Sequence, residues 1–332
     1  MTDCTEPRLA QARDGRDGEG QEGMAKLAQP GQPAVEAHFP GFADNMRKLF
    51  GHGLEFYLAS NESLRPFLNE VPYGHKLAWL DFTDTADKGW STREFLNLFN
   101  VINGIAFGDR GIPMPQWVMV DLILMPSAAL IAGLPQPAFA AMVERSTFRF
   151  DTDVKRLLRD VQASMRDNGY TGPVPVGGYC AAPSAAAGTW VGWSLWSLMP
   201  AVGLGQAAKA LALSAYRARK LDGVTQYDNS ALKVHTRFGA LKIVVATVPF
   251  HTSPGSFVYE SDFTGAVGAP VAEPTFLLDP FDYERQSAMQ KAVEAGDSEF
   301  SLLPPGHLLE NGKTYVPILE RPVHHDRLGY SR

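Results

Sequence analysis

Cysteine is almost missing from this chain. Cys4 and Cys180 are the two in 332 residues, too few for a disulfide framework. That thiol usage fits a reduced, cytoplasmic setting. A basic excess is missing as well: 30 Lys and Arg stand against 36 Asp and Glu, for a net charge of -6. A nucleic acid duplex needs a basic face, and no Lys/Arg cluster supplies one, so no nucleic-acid partner is expected. Unbroken apolar runs of membrane length are lacking too. The two most apolar stretches, 117–143 and 190–213, are interrupted by Pro and Gly, and the first carries Asp121. A spanning helix needs about 20 apolar residues without such breaks. Both stretches read as buried strands and a buried helix, and a peripheral membrane contact stays open. Metal-ligand spacings of the H-x-x-x-H or C-x-x-C kind do not occur. His324, His325 and Asp326 are adjacent, and adjacent side chains on an extended segment diverge. No metal and no cofactor are expected. The G-x-S-x-G elbow of serine hydrolases is absent.

What is present is apolar mass. Hydrophobic residues make up 45% of the chain, enough for a sizeable core. Residues 1–35 are acidic and rich in Gly and Gln and read as a disordered leader. Residues 36–332 read as one α+β domain. Its parts are a helical section over 36–110, a β-rich core over 111–265, and a helix and strand over 266–332. The expected core is a largely antiparallel, barrel-like sheet around an apolar pocket with flanking helices. Ser91 with Glu94 makes a capping box ahead of an apolar stripe. Asp151 or Asp153 can cap a helix that Gly169 ends. "GPVPVGGYCAAP" and "GTWVGWSLWSLMP" read as strands. "LKVHTRF", 232–238, alternates like a strand and opens a meander continued by "LKIVVATVPF" and "SFVYESDF". Residues 280–295 read as a helix and "KTYVPILE" as a late strand.

Charge is distributed unevenly. From Asn168 to Ala208 there is no Asp, Glu, Lys, Arg or His, and the silence ends at Lys209 in "GLGQAAKALAL". On a helix its side is shared with Val202, Gly205, Gln206, Leu213 and Tyr216. A lysine there snorkels to water or is desolvated, and a desolvated lysine becomes a nucleophile. In "TWVGWSLW", alternation puts Trp190 and Trp196 on one face and Trp193 on the other. Three tryptophans in seven residues suit the lining of a substrate pocket. If 232–238 is a strand, Lys233, His235 and Arg237 project together. Arg237 then holds a carboxylate, while His235 and the nearby Tyr227 move protons.

The order of elements over about 117–260 resembles acetoacetate decarboxylase and its relatives. "GQAAKALA" is similar to that family's Schiff-base lysine segment and "FGALKIVVATVPFH" to the hairpin after it. The resemblance implies imine chemistry of Lys209 with a keto acid, and a lyase activity. Ala208 stands where the family has proline, and Ala210 where it has a second lysine, so the activating cation would have to be another residue such as Arg237. A second resemblance competes. "VGLGQA", 202–207, is similar to the R-G-x-G-x-G/A acetyl-CoA loop of GCN5-related (GNAT) acetyltransferases, which is followed by a helix. Asp228 and Ala231 match its D-x-x-A, with His235 where that family has a tyrosine acid. Val202 replaces the usual Arg or Gln, and a strand at 232–238 departs from the helix that family has there. The expectation is a small-molecule enzyme, Schiff-base lyase first and CoA-dependent acyltransferase as the alternative, acting on a carboxylate or acyl substrate. A non-catalytic binder of apolar ligand or lipid is the third reading. Self-association stays open.

Overall fold

The structure, a computed structural model, describes residues 41–60, 68–71, 73–81, 89–108, 128–145, 152–199, 202–249, 255–263 and 272–323. Cys4, Asp121, His251, His324, His325 and Asp326, and the strand expected over 117–126, lie outside them. The elements run α1 (Phe42–Gly51), β1 (Glu55–Ser60), β2 (Leu77–Asp81), α2 (Thr92–Phe107), β3 (Ala128–Leu134), α3 (Gln136–Arg145), α4 (Thr152–Asp167), β4 (Val174–Pro183) and β5 (Thr189–Ser197). They continue α5 (Leu204–Ala215), β6 (Lys220–Gln226), α6 (Leu232–His235), β7 (Leu241–Val245), β8 (Ser256–Asp262), β9 (Phe276–Leu278), α7 (Tyr283–Ala295), β10 (Ser298–Leu302), β11 (Leu308–Glu310) and β12 (Lys313–Pro322).

All twelve described strands join one sheet, in the order β11-β12-β10-β7-β8-β6-β5-β4-β3-β1-β2, with β9 beside β12. Most neighbours are antiparallel, and β1/β2 and β5/β6 are parallel. The α+β reading holds, but the sheet stays open where a barrel-like core was expected. The section before residue 110 is not only helical either: β1 and β2 lie in it. Among the described residues no helix is long and apolar enough to cross a membrane.

Two adjacent glycines explain how helices press on both faces of this sheet. A Cβ on Gly177 would come within 2.7 Å of Leu204 on α5, and one on Gly178 within 2.8 Å of Phe99 on α2. Successive residues of a strand face opposite ways, so α5 covers one face of β4 and α2 the other. Ser91 caps α2 as its spacing predicts, accepting from the Glu94 amide at 3.4 Å. Asn103 of α2 donates to Ser194 of β5 at 2.9 Å.

Pairing between β4 and β5 slips: Cys180 faces Ser194 while Ala181 faces Gly192, which leaves Trp193 as an extra residue. Such a bulge reverses the side-chain alternation beyond it. Trp190 accordingly packs on Tyr216, just past α5, at 4.9 Å, and Trp196 on Phe99 of α2 at 5.2 Å. The expected shared face for these two tryptophans is thereby corrected.

The apolar core falls into two clusters. One gathers α1, α2, β1, β3, β4 and α5, from Phe42 to Phe263. The other gathers Tyr227, Leu232, Ile243, Phe257, Tyr259, Phe300 and Ile318. The parallel pair β5/β6 joins the two halves of the sheet.

Candidate functional site

The joint between β5 and β6 is short. Pairing covers four positions, from Thr189 with Lys220 to Gly192 with Gly223. Beyond those two glycines β5 runs on to Ser197 and β6 to Gln226 without pairing to each other. The strands are parallel, so they part at their carboxyl ends. Helix α5 follows β5 directly, so its N-terminus lies at that same end. Gly203 caps it with φ +80, and the Asn45 side chain donates to the Gly203 carbonyl at 3.0 Å. A Cβ at Gly203 would meet that side chain at 2.4 Å, so glycine is required twice over.

Lys209 is on the second turn of α5 and is 0% exposed. Its Nζ lies 3.0 Å from His235 Nδ1 and 4.9 Å from the centre of the Phe238 ring. The Tyr259 hydroxyl approaches the same His235 Nδ1 at 3.1 Å. Tyr259 faces Gly223 across the β6/β8 ladder, and a Cβ on Gly223 would come within 2.6 Å of its phenol. Tyr179 reaches over the other glycine: a Cβ on Gly192 would meet its hydroxyl at 2.8 Å. Tyr179, two positions from Gly177, shares the face of β4 that α5 covers. The two glycines therefore leave room for two phenols where the parallel strands part. Among the described residues the buried Tyr179 hydroxyl has no hydrogen-bond partner.

Burial sets the electrostatics. Desolvation pulls the Lys209 amine from its ordinary 10.5 down to about 7. It holds His235 well below 6.5, with the nearby Lys209 cation pushing the same way. Both phenols are raised by burial, Tyr179 most strongly. While Lys209 is protonated it can only donate, so Nδ1 accepts and the ring hydrogen of His235 lies on Nε2; once the amine is neutral, Nδ1 can instead donate to it or to the phenol oxygen.

Of the residues picked out from the sequence, Lys209 and His235 come together and the others do not. Residues 232–238 are helical, first α6 and then a 3-10 turn from Thr236 to Phe238, where a strand was expected. Local bonds decide this. Asn229 Oδ1 accepts from the Ala231 amide at 2.9 Å, and the Thr236 hydroxyl donates to the Leu232 carbonyl at 2.8 Å. The cationic stripe is thus undone: His235 turns inward, while Lys233 and Arg237 are exposed. Arg237 is exposed, and burial, not a neighbouring cation, lowers the Lys209 amine. Tyr227 belongs to the second core, stacked on Phe257 at 4.3 Å and donating to the Ala246 carbonyl at 3.1 Å. Trp193 is 36% exposed at the bulge, and Trp190 and Trp196 are packing residues on opposite faces. Tyr179, Tyr259, Gly192 and Gly223 went unread because only sheet register unites them. Among the described residues no group of three or more His, Cys, Asp or Glu could hold a metal ion.

No family model matches the chain, and no curated protein matches it. Solved structures that align with it include a protein from Klebsiella pneumoniae described as an acyl-CoA N-acyltransferase. The identity is 15%, covering 44% of this chain and 81% of that one, at a TM-score of 0.27. Another, from Desulfovibrio desulfuricans, is described as an acetyltransferase of the GNAT family. It is 18% identical over 41% of this chain and 99% of its own, at a TM-score of 0.26. Neither alignment is close enough to establish a shared fold.

Proposed function

We propose that the chain binds an acyl-CoA in the crevice between β5 and β6 and transfers the acyl group to a small-molecule acceptor. One observation carries this reading: a parallel pair parts after Gly192 and Gly223, at the end where the N-terminus of α5 begins. Ligands of open sheets with helical crossovers lie outside the carboxyl ends of the strands. The free amides and dipole at a helix N-terminus suit phosphate, here on Leu204, Gly205 and Gln206. Beyond Gly192 the edge of β5 towards β6 is open to an extended, amide-bearing arm that pairs as a strand would. The acetyl-CoA-loop resemblance of "VGLGQA" falls at this helix start. The helix over 232–235 removes one departure from it.

The Schiff-base reading loses its support. Lys209 lies between Ala208 and Ala210, and Arg237, the cation invoked to activate it, is exposed. His235 Nδ1 is already engaged by the Lys209 amine and the Tyr259 hydroxyl.

Thermal unfolding with CoA tests the proposal. CoA at a hundredfold excess over its Kd adds about 2.7 kcal/mol, a rise of several degrees in Tm. Gln206→Glu keeps the helix, since a glutamate suits the third helical position. It sets a negative charge against the phosphates, and CoA affinity should fall about tenfold. An unchanged Tm in millimolar CoA defeats the reading.

A further inference from the structure

The polar cluster under α5 is out of balance. Lys209, Tyr259 and Tyr179 are buried, and two of them, the Lys209 amine and the Tyr259 hydroxyl, meet at His235 Nδ1. A protonated lysine offers three N–H bonds and each phenol one O–H, five donors against the imidazole lone pair and the two phenol oxygens. No ion pair to a carboxylate joins Lys209 among the described residues, and the Tyr179 hydroxyl has no partner. Buried polar groups are normally satisfied, and an unmade buried bond is costly. Such a set lacks an oxygen that accepts several bonds and carries negative charge.

The place is also unusual within the fold. Lys209 comes from a helix of the first core, and Tyr259 belongs to the second. Between them the sheet is held by four parallel pairs. The two glycines ending that ladder have given up their side chains to the phenols. The two observations meet at the end of the β5/β6 ladder, where Gly192 under Tyr179 pairs with Gly223 under Tyr259, the phenol that contacts His235.

We infer that Lys209 and Tyr179, backed by Tyr259, form a receptor for an oxygen that carries no hydrogen and bears negative charge or gathers it in the reaction. That oxygen belongs either to the carboxylate of a small acid or to the carbonyl of an acyl thioester. Its second source rests on the acyl-CoA reading above. In that case the donors face the atom on which charge gathers when the carbonyl carbon is attacked, where fixed donors in a dry site act most strongly. His235 is a positioning residue: its Nδ1 contacts both the Lys209 amine and the Tyr259 hydroxyl and so orients both.

Calorimetric titration of the full chain at pH 6.5 tests this, with acetate, CoA and acetyl-CoA as probes. The variants are Tyr179→Phe and Lys209→Met, which keep shape and remove one donor each. Tyr179→Phe should fold as well as the parent or better, because it deletes an unpartnered buried hydroxyl. With acyl-CoA as the source, acetyl-CoA binds about tenfold more tightly than CoA, and both variants bring the ratio towards one. With a free acid as the source, acetate binds the parent, either variant weakens it about tenfold, and CoA gives no heat. That second pattern upholds the oxygen site and defeats the acyl-CoA reading. CoA and acetyl-CoA binding equally, with no acetate binding, defeats the oxygen site and leaves the acyl-CoA reading standing. Probe affinities untouched by both substitutions likewise overturn it, since a purely structural cluster would behave so.

Discussion

Lys209→Met should stabilise the protein at pH 6 by about 3–5 kcal/mol, an unusual outcome for losing a buried side chain. The reason is the cost of holding a cation in a dry interior without an anion. A fall from 10.5 to about 7 in the amine corresponds to roughly 5 kcal/mol against the charged form. The unfolded chain keeps its proton up to pH 10.5, while the native chain releases it near pH 7. Between those values the unfolded state binds more protons, so native stability rises with pH. Below pH 7 the full penalty applies, and above 10.5 none remains. The advantage of methionine should therefore be greatest at pH 6 and vanish towards pH 10.5. Depressed His235 adds acid sensitivity below 6.5, less in the variant, which lacks the Lys209 cation, because protonation there favours the unfolded chain. Urea unfolding of both proteins across this range is the measurement. A methionine variant less stable at pH 6 would show that Lys209 is paired with an anion in the native protein.

Gly223→Ala should cost about 1–3 kcal/mol, although alanine suits a strand better than glycine does. The added methyl falls 2.6 Å from the ring carbon and hydroxyl of Tyr259, and that ring is held by its bond to His235. The phenol must shift and the bond to His235 must weaken. A double-mutant cycle isolates the cause: in a Tyr259→Ala background the same change should cost little. Gly104→Ala is the contrast. It lies inside α2 with nothing within 4 Å of the new Cβ, so it should be neutral or stabilising by up to about 1 kcal/mol. Equal losses at both glycines would mean that phenol contact is not what Gly223 permits.

Much of the fold was open to a reader of the sequence. The α4 stripe ended by Gly169, the capping box of α2, and β4, β5 and β12 stand where periodicity and turn residues put them. The burial of Lys209 was foreshadowed by the long stretch without charge before it. Residues 232–238 were not legible, because seven residues with polar groups at 233, 235 and 237 satisfy a strand alternation. A helix leaves 233 and 237 on one outer side and turns 235 inward, and the Asn229 and Thr236 bonds tip the balance. One bulge at Trp193 was enough to send Trp190 and Trp196 to opposite faces. The site itself hides for a deeper reason. Gly223 and Tyr259 stand 36 positions apart, and only their register across β6 and β8 makes them neighbours.

The two separate cores also bear on the order in which the chain folds. The first core draws mostly on residues up to Ala218 and the second on residues from Tyr227 onward, whereas the β5/β6 joint must close over the intervening α5, pairing Thr189 with Lys220. Distant pairings are slow because the loop between them must first be ordered. The Lys209 amine, which belongs to that crossover, therefore stays wet until the halves dock. Acid should then slow the last step of folding more than the first, since that step is the one that must strip water from a cation.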